Sequence, residues 1–156
     1  MRLIAHRGNL HGPNAATENL PAQVDDCLAL GLECEVDLRY HSEQLYLGHD
    51  KNQYKINLDW LLDRSALIWI HCKDSESLFH ITKFKEVLND FWHNDDDHTL
   101  TSKGYIWSFP GAPVSKDSIA VLPERWWDPS MGLKLNLSMG ICTDYPLRFR
   151  EEIDLV

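Results

Sequence analysis

The chain has 156 residues, a formal charge of −9 at neutral pH and a hydrophobic content of 44%. Those values predict one globular domain over residues 1–156, long enough for its own core, and argue against a broad nucleic-acid surface. No apolar run reaches bilayer-spanning length, the first residues lack a signal-peptide core, and Cys27, Cys34, Cys72 and Cys142 show no metal-ribbon spacing. A cytoplasmic protein with reduced, buried thiols is the expectation.

Residues 2–6 read as a short apolar strand ended by Arg7-Gly8, and 8–17 as a loop rich in Gly, Pro and Asn. A helix is expected over 20–30, with Pro21 in its first turn and Gly31 after its end. The second strand, 32–40, carries Glu33, Glu35 and Asp37 at alternate positions, hence on one face, with Cys34 and Val36 on the other. Residues 42–48 form a returning strand that delivers His49-Asp50, and 57–64 a brief helix capped by Asn57. A third strand spans 66–73, and a longer helix spans 75–89 with Ser75 as its cap. Within 90–107 two strands are expected, joined by a turn near Ser102-Lys103-Gly104. Residues 110–113 form a loop, 118–122 a strand, and 133–143 contain the last strand, which ends at Asp144-Tyr145-Pro146.

The early strand–helix alternation predicts a parallel α/β core, and the second half reads as strands with little helix between them. In such folds the carboxyl ends of strands carry the chemistry. His6, Asp37, His71, Lys73, Glu124 and Asp144 all fall at or near such ends. A row of carboxylates on an apolar-backed strand calls for a cation, a basic side chain or water. Oxygen donors such as Glu35 and Asp37 suit a hard divalent ion, magnesium or calcium. His6 and His49 flank the row and can divide general acid and base work, while Arg7 and Lys73 would neutralise the oxygens of a bound phosphate. The bland counterpart is a salt-bridge network of Glu35 and Asp37 with Arg7, Arg39 and Lys73.

Ile4-Ala5-His6-Arg7-Gly8, Glu18-Asn19, Glu35-Val36-Asp37 and His49-Asp50 follow one another in an order and spacing that resemble the glycerophosphodiester phosphodiesterase family. Thr143-Asp144-Tyr145-Pro146 is similar to that family's late Thr-Asp-x-Pro, and His71-Cys72-Lys73 to its Glu-x-Lys strand end. The good match covers roughly the first third of the chain. The resemblance implies a TIM-type (β/α) barrel, His6 and His49 as the acid/base pair, and Glu35 and Asp37 as metal ligands. His71 stands where the family has a third acidic ligand. An imidazole there would admit manganese or zinc, weaken magnesium, or call in Glu33, Asp74 or Glu124 as a replacement carboxylate. A complete barrel takes about 250 residues, so a small or incomplete one with fewer helices in its second half is expected.

The function expected on these grounds is metal-dependent hydrolysis of a glycerophosphodiester-like small molecule. The alternative is a catalytically impaired protein on the same scaffold that binds a phosphate ligand. Glu33 is expected to be salt-bridged rather than ligating, and Glu18 to brace Arg7. The acidic run 94–97 reads as a solvated turn, and His11, His41, His80 and His98 as surface residues. Trp107, Phe109, Trp126 and Trp127 would be core or would cover an open edge, with a substrate groove as the sharper reading. An uncapped edge lined with aromatics would also suit a homodimer.

Overall fold

A computed structural model describes residues 1–126 and 138–154, the side chains through 151. Trp127 and the 133–137 part of the last expected strand lie outside the described residues. In chain order the strands are β1 (Arg2–His6), β2 (Glu33–His41), β3 (Gln44–Leu47), β4 (Tyr54–Ile56), β5 (Ile68–Cys72), β6 (Asp90–Trp92), β7 (His98–Leu100), β8 (Ile106–Ser108), β9 (Ser118–Val121) and β10 (Gly140–Thr143). The helices are α1 (Pro21–Ala29), α2 (Leu58–Leu62), α3 (Ser75–Ile81) and α4 (Pro146–Asp154).

All the described strands belong to one sheet, and eight of them follow the curl in the order β6-β5-β2-β1-β10-β9-β8-β7. Every pairing round the curl is parallel except β7 with β8. The hairpin of β3 and β4 extends from the far end of β2. The two-residue turn that joins β2 to β3, Ser42-Glu43, takes φ values of 48° and 61°, the twist that a tight hairpin demands. The ends of the curl approach each other: Ser102 N–H donates to the Asp90 carbonyl at 2.8 Å and Thr99 Oγ1 to the Trp92 carbonyl at 2.9 Å.

Strand alternation sorts the apolar residues into two layers. Ile4, Trp69, Phe91, Trp107, Ile119, Val121 and Cys142 come from six strands yet form one cluster, which only the concave face permits. On the convex face Cys34, Val36, Ile70 and Cys72 pack against Val24 and Cys27 of α1, Leu61 of α2 and Ile81 of α3. Ala120 and Ile141 pack against Phe149 of α4. All the cysteines are free and buried, as expected.

The mixed α/β class holds, and so does the scarcity of helix later on: residues 93–117 contain none. Several expectations need correction. The 75–89 helix stops at Ile81 and tightens into a 3-10 turn over Thr82–Phe84, because the chain must turn to bring Leu88 into the core. Its cap is Asp74, whose carboxylate accepts from Ser77 N–H at 2.7 Å, not Ser75. Residues 90–107 hold three strands rather than two, and β4 and α4 were not foreseen. Trp107 lies in the concave core and Trp126 on the convex side with its Nε1 on the Val121 carbonyl, so the two do not wall a common groove. No helix among the described residues is long and apolar enough to cross a membrane.

Candidate metal and acid/base site

The site sits just beyond the concave core, at the carboxyl ends of β10, β1 and β5 and the middle of β2. Parallel pairing places His6 beside Glu35 and Asp37 beside His71. Arg7 and Gly8 then turn the chain out of β1 with φ values of 53° and 80°. The left-handed conformation costs Arg7 about 1–2 kcal/mol. It lets the Arg7 N–H donate to Glu35 Oε2 at 3.1 Å while its side chain folds back over the sheet.

Glu35 and Asp37 are buried. His71 brings Nδ1 to 3.7 Å from Glu35 Oε1 and 3.5 Å from Asp37 Oδ1. Its Nε2 lies 3.0 Å from the His93 carbonyl, and a carbonyl only accepts, so Nε2 carries the proton. In the neutral ring the Nδ1 lone pair therefore faces the two carboxylates. The ring is stacked on Phe91 at a centroid distance of 4.9 Å, which fixes its plane.

Asp37 is held by Asn19, which donates Nδ2 to Oδ2 at 2.9 Å and accepts the Asp37 N–H at 2.8 Å. Arg7 Nε lies 3.0 Å from Oδ2 but is not aligned to hydrogen-bond it, and Arg7 Nη1 reaches Glu18 Oε2 at 3.1 Å. Glu18 braces Arg7, as expected. Lys73 Nζ approaches Asp37 Oδ1 to 3.7 Å. Burial pushes the Asp37 pKa up, but the charges of Arg7 and Lys73, with that of His71 when its ring is protonated, outweigh it and hold the group below its ordinary value. Asp37 Oδ1 is nevertheless buried without a hydrogen bond. A buried carboxylate oxygen without a donor is costly and invites a cation.

Donor atoms of Glu35, Asp37 and His71 all lie within 4.8 Å of one another, a grouping that fits a divalent ion. Among the described residues this is the one such trio of His, Cys, Asp or Glu. The exposed acidic run 94–97 contributes nothing to it.

His6 is oriented from the other side. Its Nδ1 lies 2.7 Å from Asp144 Oδ1, which also accepts from Asn9 Nδ2 at 2.8 Å. Asp144 is itself fixed where Glu124 accepts its backbone N–H at 2.8 Å and the Thr143 hydroxyl at 2.9 Å. Burial lowers the proton affinity of His6, but the Asp144 hydrogen bond and the Glu35 charge prevail, and its pKa is raised. Burial raises that of Asp144, and the contact with His6 more than reverses it. Among the described residues nothing hydrogen-bonds His6 Nε2, so the Asp144 bond leaves that nitrogen for a ligand.

His49 stands at the rim. Gly48 N–H donates to the Asp37 carbonyl at 3.0 Å, and Arg39 grips the carbonyls of Gly48 and His49. His49 Nδ1 lies 2.6 Å from Asp50 Oδ1, so both histidines are held through Nδ1 by an aspartate. Among the described residues no hydrogen bond or ion pair joins His49 to His6, Glu35, Asp37 or His71. Glu33 belongs to the opposite end of the curl, bound to Arg2 at 2.7 Å and to Trp69 Nε1 at 2.6 Å.

The His6–Asp144 pairing and the Asn19 clamp on Asp37 were missed from sequence. The signals were Asp144 at a strand end and Asn19 beside Glu18. A groove lined by Tyr40, Lys55, Trp60 and His80 lies on the β3–β4 hairpin and touches none of these groups. No family model matches the chain, and no curated protein or solved structure matches it.

Proposed function

We propose that this chain is a metal-dependent phosphodiester hydrolase acting on a glycerophosphodiester-like small molecule, built on an abridged (β/α) barrel. The observation that carries the reading is the convergence of Glu35, Asp37 and His71, with Asp37 Oδ1 buried and without a hydrogen bond, beside an aspartate-oriented His6. Glu35, Asp37 and His71 would hold the cation, which when bound would polarise a phosphoryl oxygen and offset charge on the phosphate. Lys73 stands close enough to neutralise a further phosphate oxygen. Arg7 is engaged by Glu18 and Asp37 and serves to position the carboxylates. As an oxygen nucleophile bonds to phosphorus, His49 takes its proton. As the P–O bond to the leaving group breaks, His6 gives that oxygen a proton, the role its raised proton affinity favours. Asp144 holds the resulting neutral imidazole in one tautomer.

The test is turnover of bis(p-nitrophenyl) phosphate and of glycerophosphodiesters across divalent metals. His6→Ala and His49→Ala should each lower kcat by about 10²–10⁴-fold. Glu35→Ala should abolish the metal requirement together with the activity. Unchanged turnover in both histidine variants would overturn the two-histidine mechanism.

A second reading, a phosphate-ligand binder without turnover, draws on Lys73. Its ammonium already lies 3.7 Å from Asp37 Oδ1 and could balance the carboxylates without an ion. Phosphate-monoester binding that needs no metal, with no hydrolysis of any diester, would favour it.

A further inference from the structure

We infer that the cation site selects a borderline ion of the zinc class over magnesium and calcium, because an imidazole nitrogen of His71 completes its protein donors. The inference rests on the proposed cation site at Glu35 and Asp37 and concerns which ion that site takes.

The first argument is elimination. A third carboxylate would make the protein's donors all oxygen, and the nearby candidates are occupied elsewhere. Glu33 is bound to Arg2 and Trp69 at the far end of the curl. Asp74 caps α3 through Ser77 N–H. Glu124 accepts from the Thr143 hydroxyl and the Asp144 N–H. Glu18 is taken by Arg7 and Asn9. Glu35 and Asp37 remain, and the third donor within reach is nitrogen.

The second argument is that the nitrogen is prepared as a ligand. The His93 carbonyl fixes the proton on Nε2, and the Phe91 stack holds the ring edge-on to the carboxylates. A carbonyl behind the ring is the arrangement that orients metal-binding imidazoles. Neutral imidazole favours zinc and its late first-row neighbours, whereas magnesium, calcium and manganese favour oxygen donors. Lys73 places a positive charge beside Asp37 Oδ1 that penalises every divalent cation alike, so the nitrogen is what distinguishes them.

The test uses the full chain freed of metal, titrated calorimetrically with Mg²⁺, Mn²⁺ and Zn²⁺, with His71→Glu and Asp37→Asn alongside. The inference expects the ratio of Zn²⁺ to Mg²⁺ affinity to fall by about tenfold or more in His71→Glu. It also expects the His71 Nδ1 resonance of the wild-type protein, read by long-range ¹H–¹⁵N NMR, to shift when Zn²⁺ is added. An unmoved Nδ1 resonance overturns the inference even if His71→Glu fails to fold, and so does an unchanged affinity ratio in a folded variant. If Asp37→Asn weakens binding of every ion while selectivity ignores position 71, the cation site stands and its preference does not. If no ion binds the wild-type protein, the site and the inference fall together.

Discussion

Replacing Asp144 with Asn separates the electrostatic role of this residue from its shape. The amide can still accept from His6 Nδ1 and keep its place beside Asn9, so what is lost is the charge. The wild-type bond is 2.7 Å long between buried groups. A hydrogen bond to a charged group contributes about 1.5–3 kcal/mol against about 0.5–1.5 for a neutral one, so the variant should lose roughly 1–2 kcal/mol. At roughly 2–4 °C per kcal/mol for a domain of this size, Tm should fall by about 2–8 °C.

The loss has a pH signature. His6 has a raised folded pKa, so its contribution is complete below the ordinary imidazole value and fades as pH climbs through the raised one. Asp144 has a lowered folded pKa, so its contribution is complete above the ordinary carboxyl value and fades as pH drops through the lowered one. The stability gap between wild type and Asp144→Asn should therefore be widest between about pH 4 and 6.5 and shrink at higher pH. Urea denaturation at several pH values measures the gap, and NMR titration of His6 should show its pKa falling in the variant. A gap that ignores pH, or a His6 titration that does not move, would refute the reasoning.

Gly48→Ala should destabilise by on the order of 1–3 kcal/mol, because its φ of 147° is a glycine conformation and a Cβ would meet the Lys51 carbonyl at 2.2 Å. The same change should displace the His49 turn and lower turnover, which the diester assay reads. Asn57→Ala removes a cap whose Oδ1 accepts from Trp60 N–H at 2.8 Å and should cost about 1 kcal/mol in urea melts. It should leave cation affinity untouched, since α2 contributes nothing to the trio.

What could be read in the chain was whatever depended on short periodicities. The alternation of Glu33, Glu35 and Asp37 with Cys34 and Val36 gave β2 and both its faces, and Pro21 with Gly31 bracketed α1. Short elements were missed because three residues are too few to show a period. Tyr54–Ile56 is a strand only because β3 lies beside it, and Asp90–Trp92 only because β5 does. The 75–89 segment has helical spacing throughout, but nothing local announces that Leu88 must turn back into the convex core. The residues of α4 are mostly charged, and the helix docks through Phe149 on a surface made by β9 and β10.

For the site, the limit is sequence distance. Glu35 and Asp37 could be named from the alternating acid row and His71 from its place near a strand end, but their meeting depends on the parallel register of β2 with β5, which no local signal sets. Asp144 lies 138 positions from His6, and only the pairing of β1 with β10 joins them. That same register makes the site nearly self-neutral, since Arg7 and Lys73 stand against Glu35 and Asp37. The carboxylates can thus be buried while the chain folds without a cation. The consequence is competition: a cation reaching Asp37 Oδ1 must share it with Lys73 or displace the ammonium, so affinity is set by the protein's own charge as much as by its donors. With the nitrogen of His71 in place of a third carboxylate, the proposed site would bury one negative charge fewer, and the lone pair that the His93 carbonyl orients would decide the choice of ion.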